Sequence, residues 1–394
     1  MTATEDVPTR EQLAAATRAT YVAFIGAGFA FASWASRIPQ VKAHLHLQPS
    51  ELGLVLFAIA AGSVIALPLS GRVVTYIGSR RTVAAMAVLV GCGLAVAAVG
   101  YLYGVTPVVV GLFLLGLGNG AWDVAMNVQA ANVERHAGSA IMSRFHAGFS
   151  VGTVAGALVG ATMIALRVPV PVHLAAVAAL VVAVVPVSVR RFLSDHRPAP
   201  GHDASRPRTL SAWTEPRTVL IGVFVLAFAF AEGTASDWIG VAVVDGYRAP
   251  PALGTLAFAV FLAAMTAGRW VGPGVLDRFG RVVVVRWIAV LGVVGLAVFV
   301  SGGSTPLAFV GAALWGAGVS LGFPVGMSAG ADDPGRAAAR VSVIASIGYC
   351  AFLAGPPVIG FLGQQFTVLR ALAVVAVLLA MAAGIAGNLK PLRR

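Results

Sequence analysis

The sequence predicts an all-α membrane protein of twelve transmembrane helices, arranged as two pseudo-symmetric six-helix bundles. Three observations lead there: too few charges for a water-facing surface, twelve apolar runs of spanning length, and a self-match at a shift of about 200 residues. Of 394 residues 58% are apolar and 11% charged, and the mean hydropathy is +0.89. A soluble protein keeps roughly a quarter of its residues charged, so most of this surface must face lipid.

A helix needs about 20 mostly apolar residues to cross the hydrocarbon core. Such runs fall at 20–38, 51–70, 82–104, 107–130, 145–166 and 170–189, and again at 218–239, 252–273, 283–301, 306–328, 341–362 and 368–389. Glu5, Asp6, Arg10 and Glu11 precede the first run and no small-residue cleavage site follows it, so that run reads as a retained helix rather than a signal peptide. Cys92 and Cys350 lie inside apolar runs, which indicates neither a disulfide framework nor a metal site. The polar stretch 190–217, rich in Pro and Arg, reads as a linker. The expected organisation is therefore a tail 1–19, bundles 20–189 and 218–389 about that linker, and a tail 390–394.

The net charge of +12 suggests a polyanion partner until its placement is read. With the N-terminus on the cytoplasmic side, only Arg37, Lys42, Arg167, Arg248 and Arg370 of the 27 basic residues fall on the far side. That bias is the positive-inside signature and predicts both termini in the cytoplasm. No nucleic-acid partner is expected. Abundant Ala, Gly and Arg with just two lysines suggests a GC-rich bacterial genome, and the expected location is the bacterial inner membrane.

The repeat is seen by sliding the chain on itself. Phe29-Ala30-Phe31-Ala32 meets Phe228-Ala229-Phe230-Ala231, Ala35-Ser36 meets Ala235-Ser236, and Leu52-Gly53 meets Leu253-Gly254. Gly116 and Gly118 meet Gly316 and Gly318, and Gly148 and Gly160 meet Gly348 and Gly360. Single matches are cheap with 46 glycines, but a near-constant offset across four helices is not. The loop after the second helix carries Gly71, Gly78, Arg80 and Arg81, and its second copy carries Asp277-Arg278-Phe279-Gly280-Arg281. This is similar to the G-x-x-x-D-R-x-G-R-R loop of the major facilitator superfamily, although Thr75 and Tyr76 stand where Asp and Arg are usual. Two six-helix halves joined by a linker also match that architecture.

A narrower resemblance covers nearly the whole chain. Ser33-Trp34-Ala35-Ser36-Arg37-Ile38-Pro39 with Glu51-Leu52-Gly53, Gly118-Asn119-Gly120 through Asp123 to Asn127, Ser143-Arg144-Phe145-His146, and Glu232-Gly233 to Asp237-Trp238 resemble the bacterial YbjJ-like major facilitators. These are more distantly similar to the fucose-permease-like proton symporters, in which a fourth-helix acid and a nearby Asn serve proton and sugar. The resemblance implies a secondary transporter working by alternating access, with a small solute and a proton as partners beside the lipid bilayer.

Charged side chains in the hydrocarbon region are costly, so acids there are functional candidates. Asn119, Asp123 and Asn127 recur every four residues and share one face of the fourth helix. A carboxyl group in such low-dielectric surroundings suits a proton carrier, which makes Asp123 the leading proton-coupling residue, with Glu232 and His146 behind it. Asn119, Asn127, Ser236 and Trp34 are the candidates for contacting solute, Trp34 by stacking. Arg37, which aligns with Asp237 across the repeat, is expected to pair with it as an extracellular gate. Arg80, Arg81, Asp277 and Arg278 are the expected cytoplasmic gating charges. The run Gly148, Gly152, Gly156 and Gly160 is read as close helix packing, and Gly355-Pro356-Pro357 as a kink.

The fifth helix has no Gly-Pro pair and the fourth has Leu112 near the place where drug antiporters carry arginine, which tilts against multidrug export. No phosphate-binding Gly-rich loop with Lys-Ser/Thr occurs, and no nucleophile–base set. The expectation is a monomeric, proton-coupled carrier of a sugar or other polar metabolite, not an enzyme and without a cofactor. A proton antiporter exporting a metabolite or drug is the alternative, and a non-transporting membrane sensor the reading from another class.

Overall fold

The computed structural model describes residues 8–138, 141–195, 211–301, 303–333 and 335–391. Arg197, Arg206, Arg208, Arg393 and Arg394, counted among the predicted cytoplasmic charges, lie outside them, as does the middle of the linker. Among the described residues the secondary structure is entirely helical, and twelve segments are long and apolar enough to cross a membrane. In chain order these are α1 (Arg10–Ala35) with the short α2 (Ile38–His44), α3 (Pro49–Ile77), α4 (Ser79–Tyr103), α5 (Val105–Ala137), α6 (Met142–Ala165) and α7 (Val170–Ser188). The second series is α8 (Pro216–Tyr247), α9 (Pro251–Phe279), α10 (Arg281–Val300), α11 (Thr305–Val319) with α12 (Gly322–Gly330), α13 (Ala337–Gln365), and α14 (Val368–Ala371) with α15 (Ala373–Ile385). The seventh span runs eight residues beyond the predicted 239, because Val241-Ala242-Val243-Val244 keeps the helix apolar up to Asp245.

The helices fall into two compact units, 1–34 with 58–200, and 35–57 with 201–394. The sequence boundary at 190–217 keeps 35–57 with the first six helices, whereas their packing puts α2 and the start of α3 with the second unit. In the first unit glycines let helix backbones touch. A Cβ on Gly116 of α5 would meet the Ile59 backbone of α3, and Ser63 donates to the Gly116 carbonyl at 2.9 Å. On α6, Gly148 lies against Tyr21 of α1, Gly152 against the Ile25 backbone and Gly156 against the Phe29 carbonyl, one turn of α1 per turn of α6. Gly148, Gly152 and Gly156 of the predicted glycine stripe thus form the α1–α6 seam.

The second unit repeats this construction. Gly316 of α11 lies against the Phe261 backbone of α9 as Gly116 lies against Ile59, and the mutual approach of Gly295 and Gly311 matches that of Gly93 and Gly111. The loops repeat too. Gly78 and Gly280 hold φ +85° and +77° with ψ near 157°, a region only glycine enters without strain. His46 and Arg248, 202 positions apart, are both left-handed at φ 53° and 55°.

Carboxylates complete the helix ends on the arginine-rich side. In the first unit Asp195 accepts from the Ser79 backbone at 2.5 Å and its hydroxyl at 2.6 Å, and Glu134 accepts from the backbones of Ile141 and Met142 at 2.7 and 2.5 Å. Both sit at helix N-termini, where negative charge is favoured. In the second unit Asp332 pairs with Arg217 and Arg281 at 3.0 and 2.7 Å, and Glu215 pairs with Arg336 and, at 2.7 Å, with Arg340. Burial works against the charge on Glu215. Hydrogen bonds from Arg340 and Thr218, with the charges of Arg340 and Arg336, outweigh it and hold the carboxyl below its ordinary range.

Candidate functional site

The first unit places its polar groups on α5. The helix forms from an apolar run interrupted at four-residue spacing by Asn119, Asp123 and Asn127, which therefore share one stripe. Asp123 lies two residues past the midpoint of α5 and is half-buried. Asn127 Nδ2 donates to the Asp123 carbonyl at 2.8 Å and to its carboxylate at 3.2 Å. No cation pairs with Asp123 among the described residues; its partner is a neutral amide. The Asn119 side chain has no hydrogen bond among the described residues. Gly118 and Gly120, against α4 and α3, hold that turn of α5 close to its neighbours.

Two further candidates of this unit are placed differently from each other. His146 is exposed four residues into α6, with its ring edge-on to Phe24 at 5.2 Å. Trp34 is 1% exposed at the end of α1, so its ring offers no open face for stacking.

In the second unit Glu232 lies at the midpoint of α8 and is not a lone acid. Arg269 of α9 places one terminal nitrogen against both its oxygens, at 3.1 and 2.9 Å. Arg269 had been counted with the cytoplasmic charges; it lies ten residues inside the end of α9, about 15 Å along the helix. Its Nε donates to the Ser320 carbonyl at 3.2 Å. That carbonyl is available because Pro324, four residues on, has no N–H to donate to it, and the tenth span breaks there between α11 and α12. Ser236, on the face of Glu232, donates its hydroxyl to the Glu232 carbonyl at 3.1 Å.

The predicted Arg37–Asp237 pair does not form. Asp237 is ten residues, about 15 Å, inside the far end of α8, and it has no hydrogen-bond or ion-pair partner among the described residues. Arg37 caps α2, fully buried, and donates to Gln40 at 2.7 Å. The charge pair on this side is instead Lys42 of α2 with Asp245 of α8, at 2.8 Å. Beside it Thr255 donates to the Ser36 carbonyl at 2.9 Å, and Gly53 and Gly360 bring α3 and α13 into backbone contact. On the opposite side Arg80, Arg81, Asp277 and Arg278 are exposed and form no ion pair among the described residues; Arg278 lies over the Phe279 ring at 5.2 Å. In the second unit the ion pairs on that side are instead made by Glu215, Asp332 and Asp333.

Sequence reasoning placed Asp123 and Glu232 inside spans, where the helices have them, but missed the arginine on Glu232. The signal was present: Arg269 falls inside the predicted span 252–273, and a charge inside a span demands a partner. The Pro324–Ser320 break was legible in principle as well, from a proline within an apolar run.

Twelve apolar spans in two repeats, with ionisable groups well inside the fourth, seventh and eighth, define a polytopic membrane carrier. The chain belongs to the Major Facilitator Superfamily, whose family model matches residues 20–352. It is 30% identical to the uncharacterised transporter y4wD of Sinorhizobium fredii, over 95% of this chain and 98% of that one. With an uncharacterised MFS-type transporter of Yersinia pestis it shares 32% identity over 91% and 92% of the two chains. Among solved structures it is similar in fold to the nucleoside transporter NupG, with a TM-score of 0.73 at 14% identity, covering 94% of this chain and 98% of that one. It is also similar to the Escherichia coli fucose:proton symporter FucP, with a TM-score of 0.65 at 14% identity, covering 97% and 100%. The protein is an MFS transporter embedded in the lipid bilayer, and its family and relatives are transporters, not enzymes.

Proposed function

We propose that this is a monomeric, proton-coupled carrier of a small polar solute, such as a sugar, in a bacterial inner membrane with both termini in the cytoplasm. The observation that carries the reading is Asp123, a carboxyl group halfway along a spanning helix with a neutral amide and, among the described residues, no cation beside it. A permanent carboxylate there would be costly, roughly 2.5–3.5 kcal/mol on insertion scales, so alternation between charged and neutral forms is its natural use. Glu232 has its charge balanced by Arg269, which suits it to the solute rather than the proton. Asp237 and His146 are the further groups able to carry a proton, and Asn119, Asn127 and Ser236 supply neutral donors and acceptors for solute. The fold likeness to NupG and FucP, a nucleoside transporter and a fucose:proton symporter, is compatible with a hydroxylated cargo. The arginine excess on one side supports the orientation.

The experiment is Asp123→Asn in proteoliposomes with an imposed pH gradient. Proton-driven accumulation is expected to vanish while the protein is still made and inserted. Active uptake at the wild-type rate removes Asp123 from coupling, and accumulation only under the reversed gradient replaces import by export.

A further inference from the structure

We infer that Arg269, held by Glu232 and by the released carbonyl of Ser320, forms a recognition edge for a neutral polyhydroxylated solute, one that offers a vicinal diol. The inference rests on the transporter reading above and adds Arg269 as a binding residue, with the hydroxyl pattern that it would select. Arg269 is fixed at two of its three nitrogens. One terminal nitrogen holds both Glu232 oxygens and Nε holds Ser320, while the other terminal nitrogen makes no hydrogen bond among the described residues. The side chains are 28% and 26% exposed. An open guanidinium–carboxylate pair halfway through the membrane cannot face hydrocarbon, so its open side faces water.

The broken span sets this geometry. Pro324 leaves the Ser320 carbonyl without its helical donor, and Gly268 brings α9 so close to Ser320 that a Cβ there would strike its side chain. Arg269 follows Gly268 directly, so the close approach delivers its Nε to that carbonyl. The guanidinium is thereby oriented before any solute arrives, which lowers the cost of binding. Breaks of this kind near the midplane are where transporters place their sites.

The chemistry of the edge selects the solute. Arg269 offers donors only, and Glu232 beside it offers acceptors only. Neighbouring hydroxyls can accept from the free guanidinium nitrogen and donate to the carboxylate at once, leaving the ion pair intact. An anion would sit against the Glu232 charge and a cation against Arg269. An apolar solute would strip water from both and return no hydrogen bond.

The test uses the purified full-length protein in detergent and reads the rise in unfolding temperature with added solute. The neutral probes are L-fucose, D-glucose, D-ribose, myo-inositol and adenosine, and the charged ones are lactate, citrate, phosphate and choline. At least one neutral probe is expected to stabilise the wild type. Arg269→Gln should weaken that response at least about tenfold, the loss of one charge-assisted hydrogen bond. Arg269→Lys, which keeps the charge and removes the fork, should weaken it likewise, and it stands in where the glutamine variant does not fold. Stabilisation only by charged probes, stabilisation by none, or a neutral response indifferent to both Arg269 variants overturns the inference. A polyol response lost with Arg269 but unaccompanied by pH-driven uptake upholds this inference and refutes proton coupling.

Discussion

Removing either member of the Glu232–Arg269 pair should destabilise the second unit, and removing both should cost less than either alone. The pair is bifurcated, with N···O distances of 3.1 and 2.9 Å. At 3 Å and an effective dielectric of about 20, the Coulomb attraction is about 5.5 kcal/mol. Desolvation of both ions takes back most of it. Breaking a fully buried pair costs about 3–5 kcal/mol, whereas an exposed pair is worth about 0–1 kcal/mol. With each side chain about a quarter exposed, Arg269→Gln and Glu232→Gln should each cost about 2 kcal/mol. Arg269→Gln should be the worse, because it strands a carboxylate and also leaves the Ser320 carbonyl without its donor.

The double variant replaces two ions by two amides that can bond to each other, and should cost less than about 1 kcal/mol. The coupling energy is then about 3 kcal/mol, within the range measured for contacting residues. Unfolding by sodium dodecyl sulfate in mixed micelles, followed by tryptophan fluorescence, gives the four free energies. If the two single effects add to within about 0.5 kcal/mol, the groups do not act as a pair, and the charge-balanced reading of Glu232 fails with them.

Other consequences are simpler to score. Gly116→Ala would put a Cβ 2.7 and 2.9 Å from the Ile59 carbonyl carbon and Cα, against 3.0 and 3.2 Å from the Phe261 atoms for Gly316→Ala. Both should lower stability by about 1–3 kcal/mol, Gly116→Ala the more, and equal or negligible losses in the same micelle titration would contradict the packing. Lys42→Ala should change stability by less than about 1 kcal/mol, since its partner Asp245 is 42% exposed, and the change should shrink further in high salt. Glu215 has a depressed folded pKa, so its contribution is complete above the ordinary value near 4.5 and is lost as pH falls through the folded value. Stability should therefore decline on acidification below about pH 4.5, and Glu215→Gln should flatten that slope; an unchanged slope would show that other carboxylates set it.

Hydropathy made the spans legible because lipid tolerates so few alternatives to apolar helix, and the repeat was legible because the glycines that let backbones touch must recur with the fold. Gly116 and Gly316 were matched as letters; their carbonyl contacts with Ile59 and Phe261 are the reason the letters repeat. The partners of the charges were less legible, because pairing depends on depth, and depth depends on helix ends that hydropathy places only roughly. Ending the seventh span at 239 put Asp237 beside Arg37 at the membrane surface. Extending it to Tyr247 puts Asp237 about 15 Å inside the helix end and brings Asp245 to the level of Lys42. A helix end misplaced by eight residues thus exchanges one acid for another eight positions along. Arg269 was hidden differently: it falls inside the predicted span 252–273, but counting charges by side ignores depth, whereas the helix assigns it to Glu232. In a chain with so few charges, a basic residue inside a predicted span is better treated first as the partner of an acid on the neighbouring helix. On that rule Arg269 of the eighth span would have been sought against Glu232 or Asp237 of the seventh, leaving Asp123 as the acid of the fourth span without a counter-charge among the described residues.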